Sequence, residues 1–96
     1  MLVVITYDVN TMDASGRKRL RKVSKICQDF GIRVQNSVFE CVIDSTQLSQ
    51  LKYKLLDVIN EEKDSLRFYR LGNNYKTKVE HIGAKKTFDL EDPLFI

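Results

Sequence analysis

Asp8 is the residue with the clearest chemical potential, because it ends an apolar, β-favouring run over residues 2–7. A run this short and this rich in β-branched residues predicts a strand buried on both faces at the centre of a sheet. The carboxylate then lies at the C-terminal end of that strand, beside a polar loop over residues 10–16. Such a position suits the binding of a divalent cation or an anionic substrate. The alternative is that Asp8 only caps a turn.

A run of cations follows, on the first predicted helix. Six cations and no acid fall within nine residues: Arg17, Lys18, Arg19, Arg21, Lys22 and Lys25. Neighbouring like charges on a helix repel by roughly a few tenths of a kcal/mol per pair, so a face of one sign costs stability unless a partner uses it. The partner that most often does so is a phosphate backbone. A merely solvated face is the alternative.

Apolar spacing and turn residues predict the elements that position these side chains. They are a strand at 1–8, a helix at 12–30, two strands within 32–43 that are broken near Asn36 and Ser37, a helix at 46–62, a strand at 65–71 and a short strand at 79–82. The order strand, helix, strand, strand, helix, strand predicts an α+β fold of the ferredoxin-like (split βαβ, βαββαβ) type. In this fold an antiparallel sheet carries both helices on one face.

The predicted strand at 79–82 follows a short connector, so it cannot easily reach an edge of its own sheet. Pairing with the sheet of a second protomer would satisfy its backbone groups and cover an exposed edge. We therefore expect a homodimer with exchanged strands, a ferredoxin-like domain over residues 1–83 and a C-terminal tail over residues 84–96.

Composition limits the class of protein. The chain has 96 residues, which suit one small domain, and its net charge of +3 is mild, so the distribution of charge matters more than its size. Cys27 and Cys41 are far apart and His81 is the only histidine, so we expect no zinc site and free, buried thiols, with a disulfide as the alternative. No apolar run is long enough to span a membrane and the N-terminus lacks signal-peptide features, so we expect a cytoplasmic protein without a membrane partner.

Three pieces of the sequence resemble the family of CRISPR-associated protein two (Cas2), a subunit of the spacer-acquisition machinery. The first piece is Tyr7-Asp8 at the end of the first strand, and the second is Arg17 with Arg19 early in the first helix. The third is residues 31–40, GIRVQNSVFE, which match the family's G-x-R-V-Q-x-S-V-F-E signature at every fixed position. The resemblance extends over about residues 1–83.

The resemblance implies a homodimer of ferredoxin-like protomers that exchange C-terminal strands. It also implies metal-dependent hydrolysis of phosphodiester bonds in RNA or duplex DNA in some members. In other members it implies an architectural role, in which the dimer bridges subunits of the CRISPR integrase (CRISPR-associated protein one) and holds protospacer DNA. Positions that the family uses for function match Tyr7, Asp8, Arg17, Arg19, Arg33 and Phe39.

Hydrolysis of a phosphodiester needs an activated water and neutralised phosphate charge, and Mg²⁺ or Mn²⁺ supplies both. One chain offers only Asp8 at the predicted metal site, so we expect two copies to meet across a two-fold axis.

The other matched residues have expected roles around this metal site. Tyr7, the second catalytic candidate, would orient the carboxylate or contact the nucleic-acid backbone, unless it is simply packed. Phe39 is expected in the core or the dimer interface rather than under a base, because its neighbours are apolar. The expected phosphate-binding residues are Arg17, Arg19 and Arg33. For Arg33 the alternative is a sheet-surface arginine paired with an acid.

The sequence thus predicts a metal-dependent endonuclease that acts as a dimeric subunit of CRISPR spacer acquisition. The alternative is a non-catalytic, DNA-binding scaffold that bridges integrase subunits. A third hypothesis, a toxin-type RNase or an RNA-binding module on the same fold, is a poorer match, because an RNA-recognition module needs aromatic residues on its two central strands.

Overall fold

A computed structural model describes residues 1–83 of the chain. Its elements are β1 (Leu2–Asp8), α1 (Ala14–Phe30), β2 (Ile32–Gln35), β3 (Val38–Val42), α2 (Ser45–Leu56) and β4 (Ser65–Gly72). The strands form one antiparallel sheet in the order β2-β3-β1-β4, which places β1 next to both β3 and β4. This is the ferredoxin-like arrangement, as predicted.

Both helices pack on one face of the sheet. Val3, Ile5 and Tyr7 of β1 are buried against the helices together with core residues of α1 and α2. The alternate residues Val4 and Thr6 are only half-buried. The prediction that β1 is buried on both faces is therefore wrong for the single chain. The face that the helices leave uncovered, here called the open face, carries Val4, Thr6 and Asp8 of β1 with Val38, Glu40 and Val42 of β3.

Polar side chains set the ends of the helices. Asp13 caps α1 by accepting a hydrogen bond from the Gly16 N–H at 2.8 Å, so the helix begins at Ala14 rather than at residue 12. Asp44 and Gln47 form a capping box at the start of α2. That helix ends at Leu56 instead of residue 62, because Asn60 and Asp64 hydrogen-bond nearby backbone N–H groups and build a turn instead.

Residues 73–83 leave β4 and form no strand in the single chain that the structure describes. Lys78 donates a hydrogen bond to the Leu71 carbonyl at 3.1 Å, so the connector folds back toward the end of β4. The pairing of residues 79–82 with a second copy stays a prediction, and the predicted tail at 84–96 lies outside the described residues. Neither helix in the described range has the length and apolarity of a membrane span.

Candidate metal and nucleic-acid site

Asp8 is exposed at the end of β1, where it lies opposite Ser65 of β4. The two residues line a shallow pocket together with Thr6, Tyr7 and Arg67. The pocket opens beside the open face of the sheet, at the edge where β1 ends. A carboxylate in this position is accessible to a solvent cation or to a nucleic-acid strand.

The loop after Asp8 is packed against the start of α1. A side chain at Gly16 would meet the carbonyl of Asn10, so only glycine allows the backbone of this loop to lie against the first turn of the helix. Asn10 also uses its side-chain oxygen to accept a hydrogen bond from the Met12 N–H at 3.0 Å. The chain that leaves the candidate metal ligand is therefore held by close packing and by its own hydrogen bonds.

The pocket offers oxygen donors, which are the ligands that hard cations prefer. Within residues 1–83, no three His, Cys, Asp or Glu side chains come together as a metal-binding group. One chain therefore contributes a single carboxylate, Asp8, which lies next to the hydroxyl-bearing residue Ser65. Mg²⁺ is commonly bound by one or two carboxylates and keeps several waters, so these oxygen donors fit it better than they fit zinc.

Tyr7 points to the opposite side of the sheet from Asp8, because successive side chains of a strand alternate. Only 5% of the residue is exposed. Its hydroxyl forms a hydrogen bond with Ser24 Oγ at 2.9 Å and donates one to the Asn36 carbonyl at 3.3 Å. Its ring stacks on that of Phe39, with 6.2 Å between the ring centroids. Tyr7 thus joins β1 to α1 and to the β2–β3 turn. This is the packing role that the sequence left open as the alternative.

Phe39 and Arg33 lie on the helix-covered side, opposite each other on β3 and β2. Phe39 is fully buried in the core. The Arg33 guanidinium carbon lies 5.4 Å from the centroid of the Phe39 ring, in a cation–π contact at the sheet edge. No carboxylate within residues 1–83 is in ion-pair distance of Arg33, so its charge stays available to a ligand, although not on the face that carries Asp8.

Arg17 and Arg19 have different surroundings. Arg17 is exposed, and its contact is one 3.4 Å hydrogen bond to the Thr11 carbonyl. Arg19 donates from Nε and Nη2 to the two carboxylate oxygens of Asp64, at 2.8 and 3.2 Å, and from Nη1 to Ser15 Oγ at 3.2 Å. Its side chain is only 14% exposed. The guanidinium fork that was predicted to clamp a phosphate is therefore occupied within the protein.

Asp64 is a structural residue that the sequence did not reveal. Its side chain is fully buried and, besides Arg19, accepts hydrogen bonds from the backbone N–H groups of Asn10 at 3.1 Å and Asn60 at 2.9 Å. Burial alone would raise the pKa of Asp64, but the Arg19 guanidinium and the two backbone donors outweigh it, and the pKa lies below its ordinary value. Two of its partners lie 45 and 54 residues away, so local spacing carries no signal for this contact.

The remaining cations of the first helix stay exposed: Arg17, Lys18, Arg21, Lys22 and Lys25, here called the α1 basic surface. None of the five is within ion-pair distance of a carboxylate in the described part of the chain. Five unpaired positive charges along one helix provide an electrostatic surface for a phosphate backbone.

Comparison with known proteins identifies the family. The family model described as CRISPR associated protein Cas2 matches residues 1–79. The chain belongs to the Cas2 family. It is 72% identical over 94 residues to the "CRISPR-associated endonuclease Cas2" of Halalkalibacterium halodurans, with 98% of each chain covered. It is 55% identical over 96 residues to the "CRISPR-associated endoribonuclease Cas2" of Nitratidesulfovibrio vulgaris, covering 100% of this chain and 94% of that one.

A solved Cas2 structure has the same fold. The crystal structure of Streptococcus pyogenes Cas2 at pH 6.5 superposes with a TM-score of 0.77 at 52% identity, covering 86% of this chain and 100% of that one. The Cas2 signature at residues 31–40 has a structural explanation here, because it spans β2, its turn and most of β3. A side chain at Gly31 would meet the Glu40 carbonyl and Cys41, so the glycine lets the end of α1 pack on β3.

Proposed function

We propose that the protein is a divalent-metal-dependent endonuclease that hydrolyses phosphodiester bonds in RNA or duplex DNA. The observation that carries the proposal is the exposed Asp8 carboxylate, which lines a pocket at the end of the central strand beside an arginine. The Cas2 relatives named as an endonuclease and an endoribonuclease support the same reaction class. Mg²⁺ or Mn²⁺ is the cofactor that oxygen donors of this kind favour.

The active unit that we propose is a homodimer. The open face carries half-buried apolar side chains, Val4, Val38 and Val42, and β4 lies at an unpaired edge of the sheet in the single chain. A second copy that packs against these valines around a two-fold axis would bury them and bring a second Asp8 to the seam. Exchange of residues 79–82 would fill the β4 edge.

The cation, Asp8 and the α1 basic surface would have different roles in the reaction. When bound, the cation would neutralise phosphate charge and acidify a water molecule, which are its two established contributions to hydrolysis. Asp8 would hold the cation, and the two carboxylates of a dimer would repel each other without it, so metal affinity should rise with pH. The α1 basic surface would attract the nucleic acid through its phosphates.

Cleavage of labelled RNA and duplex DNA tests the proposal, with Mg²⁺ or Mn²⁺ present and with a chelator. We expect Asp8→Asn to lower cleavage at least roughly 10–100-fold, since removal of even an outer-shell partner of a metal has effects of that size. Asp29→Asn is the matched control, because Asp29 is an exposed acid on α1 and the charge change is the same. Chelator-resistant cleavage, or an Asp8→Asn variant as active as its parent, would overturn the proposal.

Calorimetric titration of Mg²⁺ and Mn²⁺ separates metal binding from cleavage. The Asp8→Asn variant should bind either cation more weakly than the parent and the Asp29→Asn control. Equal affinities in all three proteins would contradict the assignment of Asp8 as a metal ligand.

We also propose that the dimer acts with subunits of the CRISPR integrase, in the cytoplasm, during spacer acquisition. The support is the α1 basic surface, which would hold duplex DNA whether or not that DNA is cleaved. A spacer-integration assay distinguishes a catalytic role from a purely architectural one. The nuclease role requires Asp8→Asn to reduce integration, whereas a scaffold would lose integration only when the α1 basic surface is neutralised.

A further inference from the structure

Arg67 lies next to Asp8 in the candidate site, although it is distant in sequence. In the β1–β4 ladder Asp8 is opposite Ser65 and Thr6 is opposite Arg67, so Asp8 and Arg67 are diagonal neighbours on the open face. Both residues line the same shallow pocket. Arg67 is exposed, and no carboxylate within residues 1–83 is in ion-pair distance of its guanidinium.

Tyr69 holds the Arg67 guanidinium in place. Arg67 Nη1 donates a hydrogen bond to the Tyr69 hydroxyl at 3.0 Å, and the guanidinium carbon lies 5.8 Å from the centroid of the Tyr69 ring. Because a guanidinium has five N–H donors, these interactions leave most of them free, and they limit the rotamers that the side chain can adopt. Arg19, by contrast, has its fork filled by Asp64.

We propose that Arg67 binds a phosphate of the nucleic-acid strand beside Asp8. The inference rests on the proposed function, since it assigns Arg67 to the same pocket. The pocket then presents a carboxylate for the cation and a guanidinium for the anion, and an arginine fork matches phosphate oxygens in a bidentate geometry. The ligand class is a phosphodiester in RNA or DNA, recognised by its backbone and not by its bases.

Binding without metal tests this assignment separately from cleavage. Short fluorescent RNA and duplex DNA probes are titrated in chelator over a range of salt concentrations, with Arg67→Ala, Arg67→Gln and Arg67→Lys. We expect Arg67→Ala and Arg67→Gln to weaken binding about tenfold. We also expect the slope of log affinity against log salt to become shallower by about 0.9 for duplex DNA or about 0.7 for a single strand, for each phosphate that the variant no longer neutralises. Arg67→Lys should keep the slope and lower the affinity in part, because it retains the charge without the fork.

Arg70→Ala is the matched control. Arg70 is an exposed arginine on the same strand but pairs with Val3, whose side chain faces the helices, so its removal changes the net charge equally outside the pocket. Equal weakening by Arg67→Ala and Arg70→Ala would overturn the proposal, because it would indicate a net-charge effect. Unchanged binding in Arg67→Ala and Arg67→Gln, or a parent protein that binds neither probe, would overturn it too.

Calorimetric titration of Mg²⁺ tests the role of Arg67 separately from the proposed nuclease function. Removal of a positive charge near Asp8 should leave the affinity for Mg²⁺ unchanged or raise it, while Asp8→Asn lowers it. A lower Mg²⁺ affinity in Arg67→Ala would show that Arg67 supports Asp8 instead of the phosphate, and would overturn the inference. If the parent protein binds the probes through Arg67 but cleaves neither, the proposed function fails and the binding site stands.

Discussion

Arg17 and Arg19 are two residues apart on α1, yet only Arg17 presents its charge to solvent. The sequence correctly indicated a basic helix, but it could not assign a partner to each cation. Arg19 is neutralised by Asp64, whose position opposite α1 depends on the tertiary fold. The sequence likewise did not indicate Arg67 as a site residue, because Arg67 comes close to Asp8 only when β1 and β4 pair.

Cys27 and Cys41 are the residues whose surroundings the sequence predicted most directly. Both are free and fully buried, as expected. Burial is the main cause that raises the pKa of each thiol from 9.0 to about 12.

We expect both thiols to be inert in the native protein. The raised pKa lowers the thiolate fraction near neutral pH by about a thousandfold, and burial also blocks access of a reagent. A colorimetric thiol assay should show almost no reaction until the chain is unfolded in denaturant, when both cysteines react. Rapid labelling of the native protein would contradict the described packing.

The elements around the candidate site are joined by Asp64, which lies just before β4. Its carboxylate contacts the β1–α1 loop at Asn10, the helix α1 at Arg19 and the α2–β4 turn at Asn60. Such a buried acid with an arginine partner and two backbone donors is costly to disrupt, since its removal leaves the mostly buried Arg19 charge without a partner.

Asp64→Asn should lower the free energy of unfolding by about 3 kcal/mol near neutral pH, as measured by urea denaturation. The pKa of Asp64 is depressed in the folded protein, so its stabilising contribution is complete above the unfolded pKa of about 3.9 and is lost as pH falls through the lower folded pKa. The stability difference between parent and variant should therefore shrink in strong acid. An Asp64→Asn effect no larger than that of the exposed-acid control Asp29→Asn would contradict this account.

The strands and the first helix could be predicted because apolar spacing and turn residues are local signals. The four strands of the sheet and α1 lie within about two residues of the predicted bounds, and α2 begins within one residue of its predicted start. Two expectations failed for a shared reason. The burial of β1 and the end of α2 depend on what covers an element and on distant hydrogen bonds, and periodicity reports neither.

Within residues 1–83, the single chain leaves one sheet face without helices and the β4 edge without a partner strand. The sequence could predict this because the two helices of a ferredoxin-like fold occupy one face. The connector length, the lone Asp8 carboxylate and the Cas2 resemblance each predicted a second copy. The ten-residue signature was the most specific part of that resemblance, and comparison then confirmed the family.

We expect residues 73–83 to be required for the dimer. A chain that ends at Gly72 should run as a monomer in size-exclusion chromatography with light scattering, because it lacks the segment proposed to pair with the β4 edge of a second copy. A chain that ends at Gly83 is the matched control and should remain dimeric. A dimer of the shorter chain would refute the exchange of residues 79–82.

The hydrogen bond from Asn10 to Asp64 spans 54 positions of the chain. A nascent polypeptide can form α1 early, but β1 has to wait for its partner strands β3 and β4, and this hydrogen bond cannot exist until synthesis has passed the second helix. The local contacts of the loop beside Asp8 can form early, whereas its tie to Asp64 forms late, because it closes a long stretch of chain. Incomplete chains released before that stage would carry the cationic helix without the Asp64 contact that anchors the loop beside Asp8.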